Sequence, residues 1–355
     1  MSGMDDRKAF RHDRNERTFR FHDAPVVQIP VRNGPISDIG INGDGSRLVV
    51  ANHGGDTVSI IDTDSRRVVQ TLGIEEPFAV ALSGGDSPRA YISAASAAYD
   101  WIAVVDLTTN AHVATHPLAS HVSDLTVSAD GRFVYASRNG AAGADVTVVD
   151  TTAGDFEVID LATSPGTTAE CVRISPDGRH VYAATNGPFG GQLVVIATGA
   201  RSDGRVVGSY DLGLPIRDVA LSADGGTAYV ASCGPVVGAV LDVIDTRTRK
   251  ITGTRKLSEV AGPLTRLSLN RDGRRAYLVS DDRVVVVCTR THDVIADIGA
   301  AKHPSCVVES PDGRYLYIAD HAGAVTVLPI AVGPGPAEAP TTGLRELPQR
   351  EPVFA

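Results

Sequence analysis

Long apolar runs are missing from this chain of 355 residues, and with them any candidate for a bilayer-spanning helix. The segment from Met1 to Asp23 mixes arginine with aspartate and has no apolar stretch of the kind a secretory signal needs. Cysteine is scarce. Cys171, Cys233, Cys288 and Cys306 are scattered without a CxxC pair, so no local metal knuckle or disulfide framework can be read. Free thiols in a cytoplasmic protein with no membrane association are the expectation. Positive charge is in deficit: 33 Lys and Arg stand against 42 Asp and Glu, a formal charge of −9. A negative body repels phosphate backbones, which makes nucleic acid an unexpected partner. Helical periodicity is also lacking, and Trp101 is the single tryptophan.

Glycine, by contrast, is abundant at 36 residues, and much of it recurs at a fixed spacing. Asp44-Gly45, Asp130-Gly131, Asp177-Gly178, Asp224-Gly225, Asp272-Gly273 and Asp312-Gly313 each sit between two short apolar segments. A degenerate copy, Ser83-Gly84-Gly85-Asp86, fills the one double-length gap. The result is seven units of roughly forty to fifty residues, the period of a four-stranded propeller blade. Within a unit, a strand such as Leu125-Thr126-Val127 leads through the Asp-Gly turn to a second strand such as Phe133-Val134-Tyr135-Ala136. A third strand ends in aspartate (Asp62, Asp106, Asp150, Asp245), where the carboxylate is expected to accept N–H bonds of the following turn. A fourth, such as Val68-Val69-Gln70-Thr71-Leu72, completes the unit.

The last unit lacks its fourth strand, and Val26-Val27-Gln28-Ile29 stands alone ahead of the first. The fold expected is therefore all-β: one seven-bladed propeller over residues 24–330, its last blade closed by an N-terminal strand. Residues 1–23 and the Pro/Gly-rich stretch 331–355 are expected to be flexible. The blocks Val172-Arg173-Ile174-Ser175-Pro176-Asp177-Gly178-Arg179-His180-Val181-Tyr182 and Thr57-Val58-Ser59-Ile60-Ile61-Asp62-Thr63 resemble the YVTN-type propeller repeat. That resemblance implies the same fold, in a family holding binding proteins and enzyme domains alike. Similar seven-bladed rings include lactonases acting on phosphogluconolactone and the streptogramin lyases.

Asp-Gly and Asp-Thr turns fall on one face of such a disc, and the variable loops on the other, where ligand contacts usually gather. Six residues before each turn aspartate stand Asp38, Asp124, Cys171, Asp218, Arg266 and Cys306, with Ala79 in the degenerate unit and Glu170 and Arg217 adjacent. Carboxylates converging there would repel one another without a cation among them. Asp38, Trp101, Asp124, Arg138, Asp218 and Arg266 are accordingly the candidate ligand-binding residues. His53, His303 and His321 fall in units that adjoin once the ring closes. With Asp320 they are candidate ligands for a divalent metal, and with Glu170 candidate catalytic groups. Surface loop histidines without a special role are the plainer reading of the same residues. Three functions stay open: a module binding a small molecule or protein at the channel mouth, a lactonase-like hydrolase or lyase with a divalent metal, and a metal-dependent oxidase.

Overall fold

The computed structural model describes residues 20–21, 26–85, 87–118, 121–140, 143–161, 163–199, 204–260, 262–299 and 301–331. Alternation of apolar and small residues between Gly and Asp turns yields seven antiparallel sheets in chain order. Blades 1 to 6 cover residues 36–73, 80–118, 122–160, 168–211, 216–256 and 264–298. Blade 7 consists of Pro304–Glu309, Tyr315–Asp320 and Ala324–Ala331. Its fourth strand is Val27–Pro30, paired antiparallel with 324–327, so the expected closure is present. The same edge continues further than expected. Arg20–Phe21, assigned from sequence to the segment ahead of the domain, pairs with Ala331 and Ile330. Both expected flexible tails otherwise lie outside the described residues.

The first strand of each blade packs against that of the next, and blade 7 against blade 1, so the ring is complete. Seven hydrophobic wedges, one between each neighbouring pair of blades, form the core. Ile29 of the N-terminal strand sits in the wedge between blades 7 and 1 with Ile36, Leu48, Tyr317 and Val325. No helix of the described residues is long and apolar enough to cross a membrane.

A polar stitch repeats on the turn face. Gly131 takes φ +74°, a conformation that costs glycine least, and its carbonyl accepts from Thr151 of its own blade at 2.9 Å. The same carbonyl accepts the Tyr91 hydroxyl of the preceding blade at 2.8 Å. Thr63, Thr198, Thr246 and Thr289 make the equivalent bond to Gly45, Gly178, Gly225 and Gly273. Blade 7 has Ile330 at the threonine position, as its backbone bond to Arg314 shows. There Glu309, buried where the other blades carry Ile41, Leu82, Val127, Ile174, Leu221 and Leu269, takes over as acceptor for the Tyr277 hydroxyl. Its second oxygen accepts from Arg275 at 2.8 Å, so the buried carboxylate is paired.

Truncating Ile29 to alanine should cost about 2–4 kcal/mol by opening the wedge that closes the ring. Gln28→Ala, on the exposed side of the same strand, should stay within about 0.5 kcal/mol of the parent. Urea unfolding of both variants provides the measurement; equal midpoints would mean that the closing strand carries no stability.

Candidate functional site at the central channel

The first strand of a blade is the innermost, and its inward side chains line the central channel. In six blades this strand slips register by one residue near its start. The bulge residue is small and hydroxylated in four of them, and in blade 7 it is Ser305, whose hydroxyl contacts the Cys306 sulfur. Ser37, Ser123 and Thr265 donate to the carbonyls of Ala51, Ser137 and Val279 at 3.2–3.3 Å, refilling the broken ladder. Blades 4 and 5 depart from that solution. They place Glu170 and Arg217 at the bulge, where Glu170 accepts the Thr168 hydroxyl at 3.2 Å and Arg217 is exposed.

One step inward, Asp38, Asp124, Asp218 and Arg266 line a cavity of about 320 Å³ together with Arg173 and Cys306. The aspartates belong to blades 1, 3 and 5, and each crosses to the next blade. Asp38 accepts the N–H of Val80 at 2.8 Å, Asp124 that of Val172 at 3.1 Å, and Asp218 that of Leu267 at 2.9 Å. The blades are thereby tied in pairs: 1 to 2, 3 to 4, 5 to 6. The required cation is Arg173, which bonds Asp124 at 2.5 Å and Asp218 at 2.6 Å while donating to the Val172 and Val219 carbonyls. Both aspartates are buried.

The basic residues at or beside the turn offset in the sequence are Arg217 and Arg266, whereas the cation bonded to the aspartates is Arg173. The signal was available: Arg173 lies two residues beyond Cys171, so the strand's period of two puts it on the same inward face. Arg266 makes no hydrogen bond to a described residue, and its charge is held by Asp38, Asp124 and Asp218 through space against the cost of burial. Burial pushes the Asp38 carboxyl up from its ordinary range, with Arg266 the main opposing influence. The channel thiols are not activated. Burial drives both Cys171 and Cys306 well up, and the neighbouring carboxylates add to it.

The histidines divide differently from the expectation. His303 and His321 are joined through a backbone bond of 3.1 Å, and the His303 ring contacts the Asp281 carbonyl at 3.2 Å. His53 instead sets its ring edge-on to Phe78. Asp320 is buried and spends its carboxylate on the N–H groups of Ala322 and Ala324, at 3.0 and 2.9 Å, to fix its own turn. Among the described residues no three His, Cys, Asp or Glu side chains converge in a geometry that could hold one ion. The expected metal grouping of His53, His303, His321 and Asp320 is therefore not assembled.

Two further candidates lie away from the channel. Arg138 is locked in a bidentate pair with Asp145 at 2.8 and 3.0 Å. Trp101 is half-buried, leaning on His112 and the wedge between blades 1 and 2. Among the described residues the aromatic that the loop face exposes most is Phe189, 93% accessible on a Gly-Pro-Phe-Gly-Gly hairpin of blade 4. Val236, 92% accessible, occupies the corresponding Gly-Pro-Val-Val-Gly tip of blade 5. The shared Gly-Pro in adjacent units was the cue that sequence reading did not use. The third-strand aspartates behave as expected: Asp62, Asp106, Asp150 and Asp245 each accept turn N–H bonds, which, with the Ser65 hydroxyl the main influence on Asp62, hold their carboxyls below the ordinary range.

Seven four-stranded blades in a closed ring define a seven-bladed β-propeller protein. Comparison with known proteins agrees. The chain is 52% identical to the seven-bladed beta-propeller protein Rv1057 of Mycobacterium tuberculosis, over 93% of this chain and 92% of the relative, and it belongs to that protein's family. A chain of Kuenenia stuttgartiensis hydrazine synthase superposes with a TM-score of 0.74 at 21% identity, covering 85% of this chain and 97% of that one, which shows the shared fold alone. No family model matches the sequence, so the YVTN likeness stands on the repeat itself.

Two substitutions test the charge network. Arg173→Met keeps an apolar stem but strands two buried carboxylates, and should destabilise by about 3–5 kcal/mol in denaturant titration. Asp38 has its carboxyl raised in the folded protein, so its favourable contribution is present below the unfolded value and is lost as pH rises through the folded one. Asp38→Asn should therefore gain on the parent as pH climbs from about 4 to 7, measured as a growing difference in unfolding midpoint.

Proposed function

We propose that the protein is a binding module that takes its ligand on the loop face, within the mouth of the central channel. The observation that carries this reading is the Arg266 guanidinium. It faces a cavity of about 320 Å³ and donates no hydrogen bond to a described residue. A planar group with five donors, half-buried at the channel and held by neighbouring carboxylates only through space, is a recognition element waiting for acceptors. The framework around it supports the same reading. Turn-face contacts repeat from blade to blade, whereas the inner ring changes residue type at almost every blade, as expected where one surface is shaped for an asymmetric molecule.

For catalysis the described residues of the channel supply neither a lowered thiol nor a histidine pair in contact with the carboxylates. The four unpaired cysteines suit a reducing compartment, and we take the cytoplasm as the place of action. Excess negative charge disfavours nucleic acid as the partner.

A thermal-shift screen over small metabolites tests the proposal. Compounds that raise the unfolding temperature of the parent should lose that effect in Arg266→Gln. Binders that act equally on the parent, Arg266→Gln and Asp38→Asn would place recognition elsewhere and end this reading.

A further inference from the structure

We infer that the channel site recognises a small zwitterion, a molecule carrying a carboxylate and an ammonium group a few bonds apart. The inference rests on the channel being the binding site and adds the chemical class of its occupant. It follows from which charges the protein has already used.

Three carboxylates and two guanidiniums meet in the cavity, a formal net charge of 2 − 3 = −1. Arg173 is committed to Asp124 and Asp218 by direct bonds. Those two aspartates also accept N–H bonds from Val172, Val219 and Leu267. What remains without a direct ion-pair bond is one cation and one anion, Arg266 and Asp38, which act on each other only through space. Arg266 has no acceptor among the described residues. Asp38 accepts from the N–H groups of Ile39 and Val80 but from no cationic side chain, which leaves roughly half of its lone pairs free. The two stand at equivalent positions on blades 6 and 1, with Cys306 of blade 7 between them.

A simple anion could pair with Arg266, but it would enter a cavity already negative and face Asp38, Asp124 and Asp218. A simple cation could pair with Asp38, but it would leave the guanidinium donors unfilled and be repelled by them. A zwitterion satisfies both groups and adds no net charge, so neither repulsion arises. The cavity is at the small end of ligand sites, which suits a molecule of amino-acid size. Cys306 and Val308, protonated and apolar respectively, offer the surface for its carbon stem.

Calorimetric titration of the whole protein with glycine, β-alanine, γ-aminobutyrate and δ-aminovalerate, set against butyrate and butylammonium, tests the class. At least one amino acid of the series should bind, and each half-molecule should bind at least about tenfold more weakly. Asp38→Asn should weaken the bound amino acid by at least about tenfold while leaving butyrate no weaker than in the parent; Arg266→Gln should do the same with butylammonium as the control. Equal binding of butyrate and the amino acids, or of butylammonium and the amino acids, would overturn the inference in favour of a plain anion or cation site. Failure of all the amino acids to bind the parent protein would overturn it too. In either case, screen compounds still lost in Arg266→Gln would keep the channel itself as the site, so the two readings fail separately.

Discussion

Two carboxylates buried at the centre of the ring are tolerable because one guanidinium lies between them. Asp124 and Asp218 come from blades 3 and 5, and Arg173 of blade 4 reaches both. Ion pairs of this kind rarely add net stability over an apolar core, but their geometry is demanding. Here the demand acts on the spacing of three consecutive blades. The same carboxylates also take the N–H groups of the following inner strands, so charge pairing and backbone register are fixed by one set of atoms.

Around that centre the energetics are ordinary. Seven apolar wedges hold neighbouring blades together, and each tolerates small differences in side-chain size as long as its volume is filled. The turn face repeats its Gly and Thr contacts in five blades; Leu107 of blade 2 and Ile330 of blade 7 stand at the threonine position, and in blade 7 a buried glutamate takes the Tyr277 hydroxyl. Variation is concentrated in the inner ring, where Asp, Ala, Cys and Arg alternate at one offset from the turns.

How much of this the sequence disclosed follows from what is local and what is not. The Asp-Gly and Asp-Thr turns are contacts within a few residues, so seven blades and the N-terminal closing strand could be read directly. The inner ring could be located too, because Asp38, Asp124, Cys171, Asp218, Arg266 and Cys306 share one offset from the turns. Partner choice could not. Whether Asp124 meets Arg173 or Arg217 depends on which way a register slip turns one strand, and that slip is a product of packing across blades. For the same reason Asp320, which looked like a ligand beside His321, proved to be tied to its own turn, and Arg138 to Asp145.

The carboxylate ties join blade 1 to 2, 3 to 4 and 5 to 6, and this has an arithmetical side. Seven is odd, so a rule that couples neighbours in twos must leave one sector unmatched. In a ring with an even number of sectors the rule could run round without a seam, and no sector would be singled out. Here the seam falls at blade 7, where Cys306 replaces an aspartate, and Arg266 and Asp38 flank it. Parity alone thus gives a nearly symmetric disc a direction.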